Sequence, residues 1–249
     1  METHPSEGTN LRLDDISTEW DIVRDPAKFV LRYAPAIQKY FAALIKNRHD
    51  AEEAAQDFFL RVTQHGFVHT RADRGRFRDY LKAAVRNAAL NYLRRNRAPK
   101  AVDSSDVQTA LLERAQIAAD QAWVAEWRQC LLDRACRALE QLQGQSSGNL
   151  FHTVLNMVVE NPLDRTEVLA ARTSALIGRP LQATAFRKQV SRARRMLSKL
   201  LVKGVAKTLD NPTPEQIKEE LIDLALWEYI RDFLASEPRV RREQAASSQ

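Results

Sequence analysis

An all-α fold is what the sequence predicts, and two observations support it. Apolar residues recur at spacings of three and four almost throughout the chain, which is the period of helices that bury one side. Only seven of the 249 residues are glycine, less than half the roughly 7% share of an average protein, which disfavours a turn-rich β architecture. With 44% apolar residues, the chain can build cores for one large domain or two small ones.

The first half predicts three helices. The first begins at Asp25-Pro26, because proline is favoured at the first helical position, and ends near residue 46. The second starts with a capping-box-like pair, Asp50 and Glu53, and ends before a basic loop. The third follows that loop at about 76–97, and a linker around Pro99 comes after it.

The second half predicts a long helix, two shorter ones and a strongly basic one. The long helix runs to about residue 142 and carries Trp123, Trp127, Leu131, Ala135 and Leu139 at successive four-residue steps. The shorter helices lie at roughly 149–160 and 164–177, and a tight turn leads into the basic helix at 184–209. A single amphipathic helix then precedes a polar tail.

These elements predict two small helical domains. The ranges are a flexible N-terminus (1–24), a first helical domain (25–98), a linker with a helix (99–122), a second helical domain (123–209), and a C-terminal helix with a polar tail (210–249). No apolar run approaches the roughly 20 residues of a membrane span, and the polar N-terminus has no signal-peptide core. We therefore expect a cytoplasmic protein with no membrane partner, in which Cys130 and Cys136, six residues apart on a helix, form no local disulfide.

Positive charge is concentrated in two blocks. Residues 61–100 hold eleven lysines and arginines against two aspartates, and residues 179–207 hold nine with no acidic residue, so each block carries +9. The whole chain carries only +6, which leaves −12 for the remainder. Such concentration usually serves a polyanion, and nucleic acid is the partner that it predicts.

The second block forms one side of the basic helix. At 100° per residue, Phe186 and Ala193 fall on a packing side, whereas Lys188, Arg192 and Arg195 cluster opposite them. A short preceding helix and a glycine-containing turn give the order of a helix-turn-helix, whose second helix reads duplex DNA. The alternative is a solvated amphipathic helix, but solvated helices usually mix charges of both signs.

The first block combines cations with amide side chains. Arg78, Lys82 and Arg86 step along the third helix at four-residue intervals, joined by Asn87 and Asn91. Arginine and lysine chiefly hold phosphates, and asparagine can read base edges. The loop before this helix mixes aromatic residues with cations, which suits opened single strands, and core packing is the alternative for each aromatic ring.

The helix that starts at Asp50 has the opposite character, because its polar face carries Glu52, Glu53, Gln56 and Asp57. An acidic face does not bind DNA. It is either solvated or docks a protein, and the residues alone favour a solvated face, because most charge runs are solvated.

Three of these segments resemble regions 2.2, 2.3 and 2.4 of sigma-70-type factors, especially the small extracytoplasmic-function group. They are Asp50–Val62, Arg74–Leu81 and Arg86–Arg95, in the order and spacing of that family. Ser191–Leu197 is similar to the Ser-Arg-Ala-Arg run of the region 4 recognition helix. The last helix resembles extensions of planctomycete-type members, and its one-sided apolar stripe predicts that it packs against region 4.

The resemblance implies partners and residue roles. The partners are core RNA polymerase, through its β′ clamp helices and β flap, promoter DNA, and an anti-sigma protein where one exists. The polymerase-binding residues would be Asp50, Glu52, Glu53, Gln56, Asp57 and Phe59. Those at the minus-ten element would be Phe67, His69, Arg71, Arg74, Arg78, Lys82, Arg86, Asn87 and Asn91. Those at the minus-thirty-five element would be Thr184, Arg187, Lys188, Arg192, Arg195 and Lys199.

No enzyme activity, cofactor or metal is expected. His65 and His69 have helical i, i+4 spacing but no nearby carboxylate pair, and the chain has no phosphate-cradling glycine loop. Two rival functions are a helix-turn-helix regulator that acts without polymerase and a helical adaptor for RNA or acidic proteins. The regulator gives the acidic helix no role, and steep salt dependence would separate a DNA binder from a protein adaptor.

Overall fold

The computed structural model describes residues 25–66, 76–96, 105–146, 148–209 and 212–234. Every regular element within those ranges is an α-helix, so the predicted all-α class is confirmed. The helices are α1 (Pro26–Leu44), α2 (Arg48–His65), α3 (Phe77–Asn96), α4 (Ser105–Gly144), α5 (Phe151–Glu160), α6 (Thr166–Ile177), α7 (Ala183–Ala206), α8 (Pro214–Asp223) and α9 (Trp227–Leu234). The predicted flexible N-terminus (1–24) and the polar tail beyond residue 234 lie outside the described residues.

The amino end of α1 lies where the sequence predicts it. The side chain of Asp25 caps the helix by accepting a hydrogen bond from the backbone N–H of Lys28 at 3.1 Å. Pro26 occupies the first helical position, where its missing N–H costs no hydrogen bond.

The amino end of α2 lies earlier than predicted. Its cap is Asn47, whose side-chain oxygen accepts hydrogen bonds from the backbone N–H groups of His49 at 2.9 Å and Asp50 at 3.4 Å. The predicted capping box of Asp50 with Glu53 is therefore wrong. Asparagine and aspartate are about equally favoured as helix caps. The residue types alone therefore do not decide which of the two positions caps α2.

The described helices belong to two compact units. One unit comprises the chain up to Asp133 together with Lys203–Glu220, and the other comprises Arg134–Val202 together with the chain from Leu221. The predicted boundary between 122 and 123 falls inside α4, which is one continuous helix of 40 residues. The first unit therefore takes residues from both sides of that boundary.

An aromatic cluster holds α1, α3 and α4 together in the first unit. The ring of Tyr33 stacks on Trp127 with centroids 4.9 Å apart, and Phe77 lies 5.5 Å from Tyr33 and 6.1 Å from Trp127. Trp123 lies 5.7 Å from Trp127 and meets Tyr40 edge-on at 5.9 Å. All five rings are buried, as are Leu131, Ala135 and Leu139, so the predicted packing row of the long helix is confirmed.

The second unit has a small core of its own, built by α5, α6 and α7. Its buried members are Leu150, Val154, Leu169, Ala170, Phe186 and Ala193. Gly178 ends α6 in the left-handed conformation at φ 67°, a position that favours glycine. The hydroxyl of Ser174 accepts a hydrogen bond from the backbone N–H of Leu181 at 2.8 Å, which fixes the turn between α6 and α7.

The C-terminal extension forms two helices rather than the single amphipathic helix that the sequence predicts. Thr213 and Gln216 form a capping box at the start of α8, in which each side chain accepts the other residue's backbone N–H, at 2.8 and 3.3 Å. The helical conformation is then interrupted at Ala225, whose φ is 51°, before α9 begins. The extension contributes to both units, because the first takes α8 up to Glu220.

Two further expectations concern the described helices. Cys130 and Cys136 form no disulfide, in agreement with their spacing. Among the residues that the structure describes, no helix has the length and apolar character that crossing a membrane requires.

Trp127→Ala is expected to lower the free energy of unfolding by about 3 to 5 kcal/mol, because it removes the ring that contacts both Tyr33 and Phe77. Urea titration followed by far-UV circular dichroism measures the change. Leu163→Ala, at a side chain that is 97% exposed, is the control and should change stability by less than about 0.5 kcal/mol. A loss below about 1 kcal/mol for Trp127→Ala would mean that the cluster does not hold the first unit together.

Candidate nucleic-acid interface

One face of α2 exposes acidic and apolar side chains together. Glu52, Gln56 and Leu60 follow one another within about 80° of the helix surface, and Glu53 lies beside them. All four side chains are exposed, Leu60 at 54%. Arg48 pairs with Glu52 at 2.8 Å, but both groups are on the surface, so the pair adds little stability and leaves the face accessible.

The other predicted polymerase-binding residues lie at the border of this face. Asp50, Asp57 and Phe59 are half-buried, and the ring of Phe59 lies 6.1 Å from that of Phe58 in the core. The face therefore has an exposed centre and a partly packed border.

The acidic face is tied to α3 through Glu53. The hydroxyl of Tyr92 donates a hydrogen bond to the carboxylate of Glu53 at 2.7 Å. This hydrogen bond, together with burial and the negative charges of Glu53 and Asp50, raises the pKa of Tyr92 to about 12. The bond links α2 to α3 within the first unit.

The α3 side chains that the sequence assigned to DNA become more exposed from the amino end of the helix to its carboxyl end. Arg78 is only 5% exposed and Lys82 is half-buried. Arg86, Asn87 and Asn91 lie on the surface. The carboxyl half of the helix therefore offers the cation and the two amides that the sequence assigned to nucleic acid.

The three cations that step along α3 each meet a partner from a later part of the chain. The contacts are Arg78 Nε to Glu220 Oε1 at 3.0 Å, Lys82 Nζ to Asp120 Oδ1 at 3.8 Å, and Arg86 Nη2 to Gln116 Oε1 at 3.0 Å. The expectation that Arg78 lies open to DNA is therefore not met, because its guanidinium is buried against a buried carboxylate. The four predicted residues of the preceding loop, Phe67, His69, Arg71 and Arg74, lie outside the described residues.

The basic face of α7 is exposed over most of its length. Thr184, Arg187, Lys188, Arg192 and Arg195 are exposed, and Lys199 is half-buried. Four of these cations, from Lys188 to Lys199, fall within about 60° of the helix surface. Phe186 and Ala193 are buried on the opposite side. The helix thus presents a cationic stripe that suits phosphates.

Two arginines on the border of this stripe have partners of their own. Arg187 pairs with Glu167 of α6 at 3.0 Å, with both side chains about 60% exposed. The guanidinium of Arg194 lies over the ring of Phe233 in α9, 5.9 Å from its centroid. These contacts hold α6 and α9 against the side of α7 and leave the stripe from Lys188 to Lys199 facing outward.

Sequence reasoning missed two kinds of residue at these surfaces. Leu60 is an exposed apolar side chain one turn beyond Gln56, at the carboxyl end of the acidic face, and its helical spacing from Gln56 could have identified it. Glu220 is fully buried, and no local pattern marks a glutamate for burial. Among the residues that the structure describes, no three His, Cys, Asp or Glu side chains converge as metal ligands.

Residues 29–98 match the family model described as Sigma-70 region 2. The matched range contains α2 and α3 and nearly all of α1, and it supports a sigma-70 family sigma factor with a role in transcription initiation. No curated protein and no solved structure matches the chain.

The hydrogen bond between Glu53 and Tyr92 predicts a pH effect. Because the folded-state pKa of Tyr92, about 12, lies above its ordinary value of about 10, the protonated hydroxyl stabilises the fold below about pH 10. That contribution is lost as the pH rises from about 10 to 12. Glu53→Gln should shift the ionisation of Tyr92 to lower pH, because the negative acceptor becomes neutral. Alkaline titration of tyrosinate absorbance measures this shift, and Tyr92→Phe identifies the transition that belongs to Tyr92. An unmoved transition in Glu53→Gln would rule out the carboxylate as its main cause.

Proposed function

We propose that this chain is a sigma factor of the extracytoplasmic-function group, which binds core RNA polymerase and directs it to a promoter at two DNA elements. The match of residues 29–98 to Sigma-70 region 2 carries the proposal. The matched segment joins an acidic and apolar face on α2 to a cationic and amide-bearing half of α3. A protein partner suits the first surface and a nucleic acid suits the second.

The polymerase-binding surface is the exposed face of α2. Leu60 supplies an apolar anchor, and Gln56 and Glu52 lie about one and two helical turns before it on the same face. A few side chains commonly supply most of the binding energy of an interface, and complementary charged and polar groups give it specificity. The β′ clamp helices of polymerase are the proposed partner, with Glu53, Asp50, Asp57 and Phe59 along the border of the contact.

The minus-ten element is assigned to α3 and to the loop before it. Arg86, Asn87 and Asn91 lie exposed on the carboxyl half of the helix, where arginine can hold phosphate and asparagine can bind base edges. Aromatic and cationic residues of the loop, Phe67, His69, Arg71 and Arg74, are proposed to stack on and neutralise the separated strand. Lys82 extends the same line of cations toward the amino end of the helix.

The minus-thirty-five element is assigned to α7, with α6, the turn and α7 acting as a helix-turn-helix. Thr184 and Lys188 lie near the amino end of α7, where recognition helices usually contact bases. Arg192, Arg195 and Lys199 continue along the helix toward phosphates. The β flap of polymerase is the proposed protein contact of this unit, and polymerase itself supplies the chemistry of transcription.

The rival functions explain less of the molecule. A duplex-binding regulator that acts alone would use the stripe on α7 but would give no role to the exposed face of α2. An adaptor for acidic proteins would not call for a segment that matches Sigma-70 region 2.

Reconstitution tests the proposal directly. Purified chain is mixed with core polymerase, passed through gel filtration, and assayed for run-off transcripts on a library of promoter fragments. We expect comigration and specific transcripts. A chain that neither comigrates nor initiates on any fragment is not a sigma factor.

Glu52→Lys combined with Leu60→Ala should weaken binding to core polymerase by roughly tenfold or more, because it reverses a charge and removes the apolar anchor. Fluorescence anisotropy with labelled chain measures the affinity. Glu113→Lys, at an exposed acid on α4, makes the same charge change elsewhere on the first unit and should leave affinity unchanged. Equal loss in both variants would mean that overall charge, and not the α2 face, governs binding.

Arg192→Ala with Arg195→Ala should weaken binding to duplex DNA. It should also reduce the slope of log affinity against log salt by about 1.8, which corresponds to two phosphates at about 0.9 each. Arg137→Ala removes an exposed cation on α4 in the same unit and serves as the control. An unaltered slope in the double variant would mean that the stripe on α7 is only solvated.

A further inference from the structure

An ionic cluster with a buried centre occupies the amino end of α3. Arg78 contacts Glu220 twice, from Nε to Oε1 at 3.0 Å and from Nη2 to Oε2 at 3.1 Å. Arg76 reaches the same Glu220 at 3.1 Å and Glu219 at 3.5 Å. With Asp79 at 3.8 Å from Arg78, two guanidinium groups meet three carboxylates. The positive charge that the sequence places at this point is therefore neutralised within the chain.

The backbone at this point is engaged as well. The N–H of Phe77, the first residue of α3, donates a hydrogen bond to the carbonyl of Thr208, just after α7, at 3.0 Å. The first N–H groups of a helix have no partner inside the helix, and together they form a site that attracts anions. Here a downstream carbonyl and a downstream carboxylate take the places that a nucleic-acid phosphate could occupy.

Burial of the Arg78–Glu220 ion pair makes it a weak means of stabilising the packing of α8. The side chain of Glu220 is 0% exposed and that of Arg78 is 6% exposed, so both charges have left water. Burying an ion pair costs desolvation energy that an apolar pair of the same volume would not cost, and such pairs are weak devices for stability. Specificity or switching is their better-supported use.

The next two cations along α3 also contact side chains from later in the sequence. Asp120 lies 3.8 Å from Lys82, and Gln116 accepts a hydrogen bond from Arg86. The three cations thus form a series in which the partner is a buried carboxylate, then a partly exposed carboxylate, then a neutral amide. The ion pairing with later residues is therefore strongest at Arg78.

We infer that α8 is an inhibitory segment: Glu219 and Glu220 occupy the phosphate-binding positions of Arg76 and Arg78, and α8 must leave α3 before those arginines can hold DNA. The inference rests on the proposed function, because it takes α3 as the surface for the separated strand. In the docked state the strand can use only the exposed carboxyl half of the helix. Release of α8 extends the site by two arginines and removes two competing carboxylates.

The test measures binding of the full chain, without polymerase, to a fluorescein-labelled oligothymidine by anisotropy across a salt series. Glu220→Gln should raise affinity by on the order of tenfold and steepen the salt slope by up to about 1.4, because two more phosphates at about 0.7 each are neutralised. Glu219→Gln, at a side chain 65% exposed, should act in the same direction but less. Glu215→Gln makes the same charge change at an exposed position of α8 and should have no effect.

A variant that lacks both arginines distinguishes release of Arg76 and Arg78 from a general loss of structure around α8. In Arg76→Ala with Arg78→Ala, adding Glu220→Gln should leave affinity unchanged, because the positions that it frees are gone. A persistent gain in that background, or equal affinity of Glu220→Gln, Glu219→Gln and the parent chain, overturns the inference. If Glu220→Gln does not fold, as judged by circular dichroism, Glu219→Gln and the same background decide the question.

Failure of the inference and failure of the proposed function give different results. If the chain initiates transcription with core polymerase but both α8 variants bind oligothymidine as the parent does, only the inhibitory role is lost. If the α8 variants gain affinity through the arginines but the chain never initiates, the masking stands and the sigma function is lost.

Discussion

The burial of Phe77 against Tyr33 and Trp127 fixes where α3 begins, and the surfaces of the first unit follow from that contact. Phe77 is 0% exposed and has a charged residue on either side in the sequence. Once its ring is packed between α1 and α4, Arg76 and Arg78 are held at the margin of the core. They reach buried Glu220, and the carboxyl half of α3 extends outward. The packing of Phe77 thus places Arg76 and Arg78 where Glu220 can pair with them.

The two basic blocks carry equal charge in the sequence, yet their surroundings differ. In the first, a series of downstream partners meets the cations of α3, and the pairing weakens from Arg78 to Arg86. In the second, the stripe from Lys188 to Lys199 faces outward, and arginines at its border anchor the neighbouring helices. This difference accords with the proposal that α7 binds duplex DNA as it stands, whereas α8 must leave α3 before Arg76 and Arg78 can hold a separated strand.

Local patterns predicted much of this fold. Three- and four-residue spacing identified the helices, the Trp123-to-Leu139 row and the open stripe on α7, because each depends on one helix burying one side. The start of α2 was predicted at the wrong residue, because Asn47 and Asp50 are both favourable N-cap residues and lie close together. The interruption between α8 and α9 at Ala225 was not predicted either, because a positive φ is usually marked by glycine and not by alanine.

Long-range contacts could not be predicted. Arg78 and Glu220 are 142 residues apart, and each reads locally as an ordinary charged residue of an amphipathic helix. Only the packing of α8 places both inside the first unit. For the same reason the sequence assigned Arg78 to DNA.

Permanganate footprinting tests most directly the claim that this chain guides polymerase to open a promoter. The reagent modifies thymines that have left the duplex, and the template is a promoter fragment that supports run-off transcription. We predict reactive thymines around the minus-ten element when both core polymerase and this chain are present, and none with either alone. Transcription without any such reactivity, or the same pattern from core polymerase alone, would contradict the account.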